Sequence, residues 1–281
     1  MQEEMTYASV GVDYAAMDPF KKEAQKAARR TSGNLARHGL EEVEWSRGES
    51  VYLTFDREHD CYEGHVHEGL GTKNLVADAV AKTMGWGYYY KIAQCTLAMG
   101  LNDAATLGVR PTTVTMHLGI GSSDWLENHE RSQALIAGWE AACMNGRATW
   151  AGGETPTLRD IIIPGTAELS CSVCGKIESS KLLIRGNIES GDRIVLLPSS
   201  GIHANGLTLA RRIASQVSDG YATTLSDGRP YGLSLLDATI LYGPIVEDCQ
   251  DAGAEIHYGV NITGHGWRKL MRLTTDRKST R

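Results

Sequence analysis

The segment Val195–Ile213, "VLLPSSGIHANGLTLARRI", restricts the fold of this chain more than any other. Val195, Leu196 and Leu197 follow the turn Ser190-Gly191-Asp192 and read as a short buried strand. From Leu207 onward, apolar side chains recur at 207, 210, 213, 214 and 217, with Arg211 and Arg212 off that stripe, which predicts an amphipathic helix. Ser199–Gly206 must then carry the chain from a strand end to a helix start. Such a loop aims free backbone N–H groups and the positive helix end at one spot, which suits an anion. Gly201 and Gly206 let the backbone approach closely, and His203 stands between them. On its own the stretch fits a flexible loop capped by Asn205 equally well.

The rest of the chain alternates strand and helix signals, which predicts an α/β class with α+β-type mixed sheets. Residues 1–20 read as a mobile arm, followed by a basic helical stretch, "KKEAQKAARR". "VYLTF" (51–55) reads as a strand, and "DREHDCYEGHVHEGLGTK" as a loop. A helix is predicted over 91–107, with Gly108 and Pro111 as its stop. "TTVTMHLGI" alternates as a half-buried strand would, a second helix covers 131–144, and "ATWAGGETP" reads as a short strand and a glycine turn. "DIII" and "TAELSCSVCGKI" are further strand candidates, and "SLLDATILYGPIVEDCQDAG" is helix material with Pro244 suited to a first turn. The pattern pauses near residue 178. This predicts an N-terminal domain over 1–178 and a second α/β domain over 179–281.

Bulk properties narrow the function. The 281 residues suffice for two domains, and a formal charge of −6 does not support a broad nucleic-acid footprint. No run of 18 apolar residues exists and the N-terminus lacks a signal-peptide h-region, so no membrane partner is expected and a cytoplasmic setting is. Six scattered cysteines do not make a disulfide framework. Cys171 and Cys174 form a lone C-x-x-C without a second pair, so a structural reading is preferred to zinc. His59, His65 and His67 could form a metal cluster, but no carboxylates stand at a matching spacing.

Three carboxylates stand out. Asp103 falls on or beside an apolar stripe of its helix, so it must be paired, ligated or at an edge. Glu154 follows Gly152-Gly153 directly after a strand. Glu68 opens "EGLGTK", with Lys73 five residues on. Carboxylates, glycine turns and a lysine are the parts needed to hold Mg²⁺ with a nucleoside triphosphate. Each alone is more readily a cap or a solvated charge.

"YASVGVDY", "EGLGTKNLVAD", "MGLNDAATLGVRP", "WAGGETP", "SSGIHANGLTLARRI" and "NITGHGW" together resemble the phosphoribosylformylglycinamidine cyclo-ligase (aminoimidazole ribonucleotide synthetase) family, in the family's order and over nearly the whole chain. The resemblance implies an ATP-dependent ligase of purine biosynthesis that closes formylglycinamidine ribonucleotide to aminoimidazole ribonucleotide. It also implies a homodimer whose N-terminal sheets pair into a shared barrel. Carried over, Asp103, Glu154 and Glu68 hold Mg²⁺, and Gly69, Gly71, Thr72, Lys73, Asp103, Gly152, Gly153 and Glu154 bind ATP. Ser199, Ser200, Gly201, His203 and Asn205 bind the nucleotide substrate or its phosphate, and His203 and Lys73 are the catalytic candidates.

The chain departs from the family pattern in places. Glu68 replaces the usual Asp, and Gly264-His265-Gly266 replaces three glycines, which strains His265 if that position needs φ > 0. "PTLRD" replaces Ala-Glu-Met-Pro after "GGET", and, because the family pattern continues past residue 281, the resemblance implies that the α/β domain over 179–281 is apparently incomplete. The alternatives are a sister ATP-using enzyme of the superfamily, a catalytically silent dimeric relative, and a metal phosphohydrolase using the 59–67 histidines.

Overall fold

A computed structural model describes residues 14–273. Of the expected arm, residues 1–13 lie outside the described residues, and the remainder is already helical. The helices are α1 (Tyr14–Arg29), α2 (Lys73–Met84), α3 (Tyr89–Ala105), α4 (His129–Asn145), α5 (Leu207–Ala214), α6 (Tyr231–Ser234) and α7 (Gly243–Asp251). The strands are β1 (Leu40–Glu42), β2 (Tyr52–Asp56), β3 (Cys61–Gly69), β4 (Arg110–Ile120), β5 (Thr149–Glu154) and β6 (Ala167–Ile177). They form one mixed sheet in the order β1-β2-β3-β6-β4-β5, antiparallel throughout except for the parallel pair β4–β5.

Side-chain alternation along β6 gives the sheet its two faces. Leu169, Cys171, Val173 and Ile177 are buried, while Glu168, Cys174 and Lys176 are exposed. The buried face packs on α3, which is hydrophobic nearly all round and buried along almost its whole length. Aliphatic residues of the sheet, of α3 and of α4 form one core cluster. Leu207, Ala210, Leu235 and Leu236, from beyond the last strand, join that same cluster.

Four local expectations are corrected. Residues 61–69, read as a loop, are β3. Its inward positions include Gly64 and Val66 and its outward ones His65 and His67, so the alternation carries little hydrophobic signal. "DIII", read as a strand, is a turn in which Ile162 N–H donates to Leu158 O (2.9 Å) and Ile161 and Ile163 are exposed. Of the helix material expected at 234–253, only Gly243–Asp251 forms a helix of its own, α7: α6 ends at Ser234, and 235–242 is a turn followed by the non-helical stretch Asp237–Tyr242. Val195–Leu197 forms no strand. Every residue from 191 to 200 is exposed, and no described strand lies alongside to pair with this apolar run. No described helix is long and apolar enough to cross a membrane.

Candidate active site

The two ends of the Glu68–Lys73 loop, which joins β3 to α2, serve two parts of one site. Glu68 sits opposite Cys171 in the β3–β6 register, and alternation turns it inward with Val66 toward α3. Asp103, near the end of α3, is only 5% exposed and accepts a hydrogen bond from Asn261 Nδ2 (2.9 Å). This meets the requirement that a carboxylate on this stripe be partnered. Burial pushes the Asp103 carboxyl upward, against the Lys269 ammonium and the Asn261 bond. Glu68 is raised by burial first and then by the Asp103 charge, and Lys269 again opposes. Lys269, buried on the 3₁₀ turn Gly266–Leu273, donates to Thr263 Oγ1 and is itself lowered by burial. No local pattern in the sequence marks Lys269 or Asn261 as partners of these carboxylates. The "NITGHGW" turn that delivers them has His265 at φ 68°, the left-handed geometry expected of a glycine.

At the other end, Gly71 meets the Ser199–Gly206 loop: a Cβ on it would lie 3.9 Å from Ala204 O. Lys73 is fully buried, and its Nζ donates to His203 O (2.7 Å) and Asp237 O (2.6 Å). Burial lowers its pKa, opposed by Cys95 and Asp237. The ammonium therefore fastens the loop from beneath. The Thr72 hydroxyl beside it is buried and has no hydrogen-bond partner among the described residues. No side chain caps the N-terminus of α2 or of α5.

Within the loop, His203 has φ 56° and its ring folds back over Ser199–Ser200. Ser200 N–H donates to His203 Nε2 (3.1 Å), so that nitrogen is the unprotonated one. Burial and the Lys73 charge hold the imidazole below its ordinary range, which keeps it neutral. Ser199 Oγ bonds Gly201, and Ser200 Oγ donates to Ala238 O (2.5 Å). Asn205 does not cap the helix. Gly206 takes the N-cap place, and Asn205 Nδ2 points to Met99 Sδ of α3 (3.9 Å).

Glu154 stands elsewhere. It ends β5, exposed and opposite His117, and lines a depression of about 530 Å³ on the outer sheet face with His67, Gly69, Glu168, Ser170 and Ser172. Gly152 and Gly153 explain the local geometry: Gly152 has φ 113°, and a Cβ on Gly153 would lie 1.9 Å from Met116 O, so only glycine lets β5 lie this close to β4. Asp103 and Glu68 thus share the helix-covered face, and Glu154 is on the other.

Two carboxylates with an open helix end suit Mg²⁺ that arrives with a nucleotide, because that ion takes one or two carboxylates plus phosphate oxygens. The orphaned Thr72 hydroxyl supplies a further group for phosphate. No group of three or more His, Cys, Asp and Glu side chains able to hold a metal occurs among the described residues. His59 pairs with Asp56 (2.8 Å), His65 with Cys174 (3.3 Å) and His67 with Ser172 (2.8 Å). Cys171 points inward and Cys174 outward, so the C-x-x-C cannot close on one ion.

Residues 68–176 match the family model described as AIR synthase related protein, N-terminal domain. The chain is similar to a phosphoribosylformylglycinamidine cyclo-ligase of Thermococcus gammatolerans, 31% identical over 96% of this chain and 75% of the relative. A protein of the same name from Carboxydothermus hydrogenoformans is 28% identical over 94% of this chain and 73% of its own. Among solved structures, a thiamine-monophosphate kinase from Stenotrophomonas maltophilia K279a matches at 18% identity and a TM-score of 0.43, over 71% of this chain and 57% of that one.

Proposed function

The chain belongs to the phosphoribosylformylglycinamidine cyclo-ligase family, and we propose that it uses ATP to close formylglycinamidine ribonucleotide to aminoimidazole ribonucleotide, releasing ADP and phosphate. The observation that carries this reading is a relationship running through 271 residues, which takes in both the carboxylate side and the loop side of the site. In this reaction the γ-phosphoryl group of ATP passes to the formamide oxygen. A substrate nitrogen then attacks the activated carbon, the C–O bond breaks, and phosphate leaves.

Each part of the site has a place in that sequence. Asp103 and Glu68 hold Mg²⁺ with the nucleotide phosphates, and the ion when bound neutralises charge on the transferred group. The Thr72 hydroxyl and the open start of α2, at the loop end of the site, take phosphate oxygens. Ser199, Ser200 and Gly201 present the second anion-binding surface, for the ribonucleotide phosphate. Lys73 fixes the two surfaces relative to each other through His203 O and Asp237 O. His203, neutral and next to the bound substrate, can take the proton released on ring closure.

The outer sheet face, with Glu154 and the depression around it, is the face proposed to meet a second copy in a homodimer. Magnesium dependence and a cytoplasmic setting belong to the same reading. Asp103→Asn and Glu68→Gln test the core of it. Each is expected to lower substrate-dependent ADP release by about a hundredfold or more, as loss of a charged transition-state contact does, without lowering the folded fraction. Full activity in both variants removes these carboxylates from the site.

A further inference from the structure

In the Ser199–His203 loop several hydrogen bonds are local, and the residues leading into it, Arg193–Pro198, are exposed and lie in no strand. Something other than a sheet must therefore fix the loop's entry. The non-helical stretch Asp237–Tyr242 lies between this loop and α3. From α3, Gln94 Nε2 donates to Thr239 O (2.8 Å), Cys95 Sγ accepts from Thr239 N–H (3.3 Å), and Asn102 Nδ2 donates to Ile240 O (2.8 Å). At its far end Tyr242 N–H donates to Asn102 Oδ1 (2.7 Å). The Tyr242 hydroxyl donates to Pro198 O (2.7 Å), immediately before Ser199, and its ring centroid lies 6.3 Å from that of His203.

We infer that Tyr242 is a positioning residue, coupling both ends of the Ser199–His203 loop to α3 through Asn102, the neighbour of Asp103. Asn102 is 4% exposed and satisfied on both sides of its amide by this one stretch, so it cannot shift without moving Tyr242. Together with the Ser200 Oγ bond to Ala238 O, the tyrosine supplies at the loop's entry a fixed point of the kind a paired strand otherwise gives. It holds the anion-binding side of the site at a set distance from the carboxylate side. The role in turnover rests on the ring-closing reading above; the coupling itself does not.

Tyr242→Phe removes one O–H···O bond and keeps the ring. Tyr231→Phe is the matched control, since its hydroxyl also donates to a backbone carbonyl, Ala210 O at 3.0 Å, away from the loop's entry. Amide hydrogen exchange at Ser200, Gly201 and His203 in the ligand-free protein reads the coupling. It is expected to speed up about five- to tenfold in Tyr242→Phe, the equivalent of one lost hydrogen bond, and to stay unchanged in the control. KM for formylglycinamidine ribonucleotide is expected to rise by a similar factor, with kcat and the KM for ATP changed less than about twofold. Unchanged loop exchange overturns the inference. So does an active Tyr242→Phe enzyme with unaltered substrate KM, or a fall in thermal stability alone. If the loop loosens but neither variant nor parent turns over the ribonucleotide, the ring-closing reading fails and the coupling stands.

Discussion

Two apolar runs in this chain both read as strands, and they end in opposite circumstances. Ala167–Ile177 lies between β3 and β4, with Leu169 and Val173 each 1% exposed. Ile194–Leu197 lies in no strand, with Ile194 at 91% and Leu196 at 74% exposure. Composition does not separate them, but partners do. β6 has a hydrogen-bonded neighbour on each edge and α3 on one face, whereas the second run has none of these among the described residues. Strand preference is largely the packing of a pleated surface on its neighbours, and without neighbours it is not expressed. The site repeats the contrast. Its carboxylate side is built on a sheet strand and a buried helix, and its loop side depends on individual side-chain fastenings.

The largest effect expected of that contrast is in stability. Leu169→Ala should cost about 2–5 kcal/mol, because it opens a cavity in a packed layer, read as a lower denaturation midpoint at unchanged slope. A loss below 0.5 kcal/mol breaks the comparison. Next is Lys73→Met. It leaves His203 O and Asp237 O without their buried donor and should cost about 1–3 kcal/mol while freeing the loop. Loop amides as protected as in the parent contradict the fastening role.

A pH effect on the loop follows. Because the folded-state pKa of His203 lies below the ordinary imidazole value of 6.5, the unfolded chain binds this proton first. The stabilisation the neutral ring gives is fully present above 6.5 and is lost as pH falls through the folded value. Protonated Nε2 no longer accepts from Ser200 N–H, so the protection of that amide, taken against its intrinsic exchange rate at each pH, should fall on acidification in the parent and not in His203→Ala. The smallest effect is on the exposed run. Leu196→Ser should change stability by less than about 0.5 kcal/mol and reduce binding of a hydrophobic dye. A cost like that of Leu169→Ala shows that the run is covered in solution.

Much of the fold is legible in the sequence where one physical signal dominates. α3 is announced by a long helix-forming run that Gly108 and Pro111 stop, β6 by alternation, and the partner required by Asp103 by the cost of burying a charge. β3 is hidden because histidines occupy its outward positions and glycine one of its inward ones. The resemblance assigns "EGLGTK" to ATP and "SSGIHANG" to the substrate, but that the two segments meet, through Lys73 and two carbonyls, is set by tertiary packing. Asn261 reaches Asp103 across 158 positions, a contact no local pattern encodes. Glu154 illustrates the remaining difficulty. The register shift between Val114 and Met116 helps decide which face it occupies, and spacing along the chain does not reveal it.

The most direct test of the central claim is ADP release from Mg·ATP by the purified chain, with and without formylglycinamidine ribonucleotide, in the parent and in Asp103→Asn. ADP is expected to form in step with aminoimidazole ribonucleotide only when the substrate is present, and to be lost in the variant. ADP formed at the same rate without the substrate, or undiminished in a folded Asp103→Asn protein, contradicts the claim.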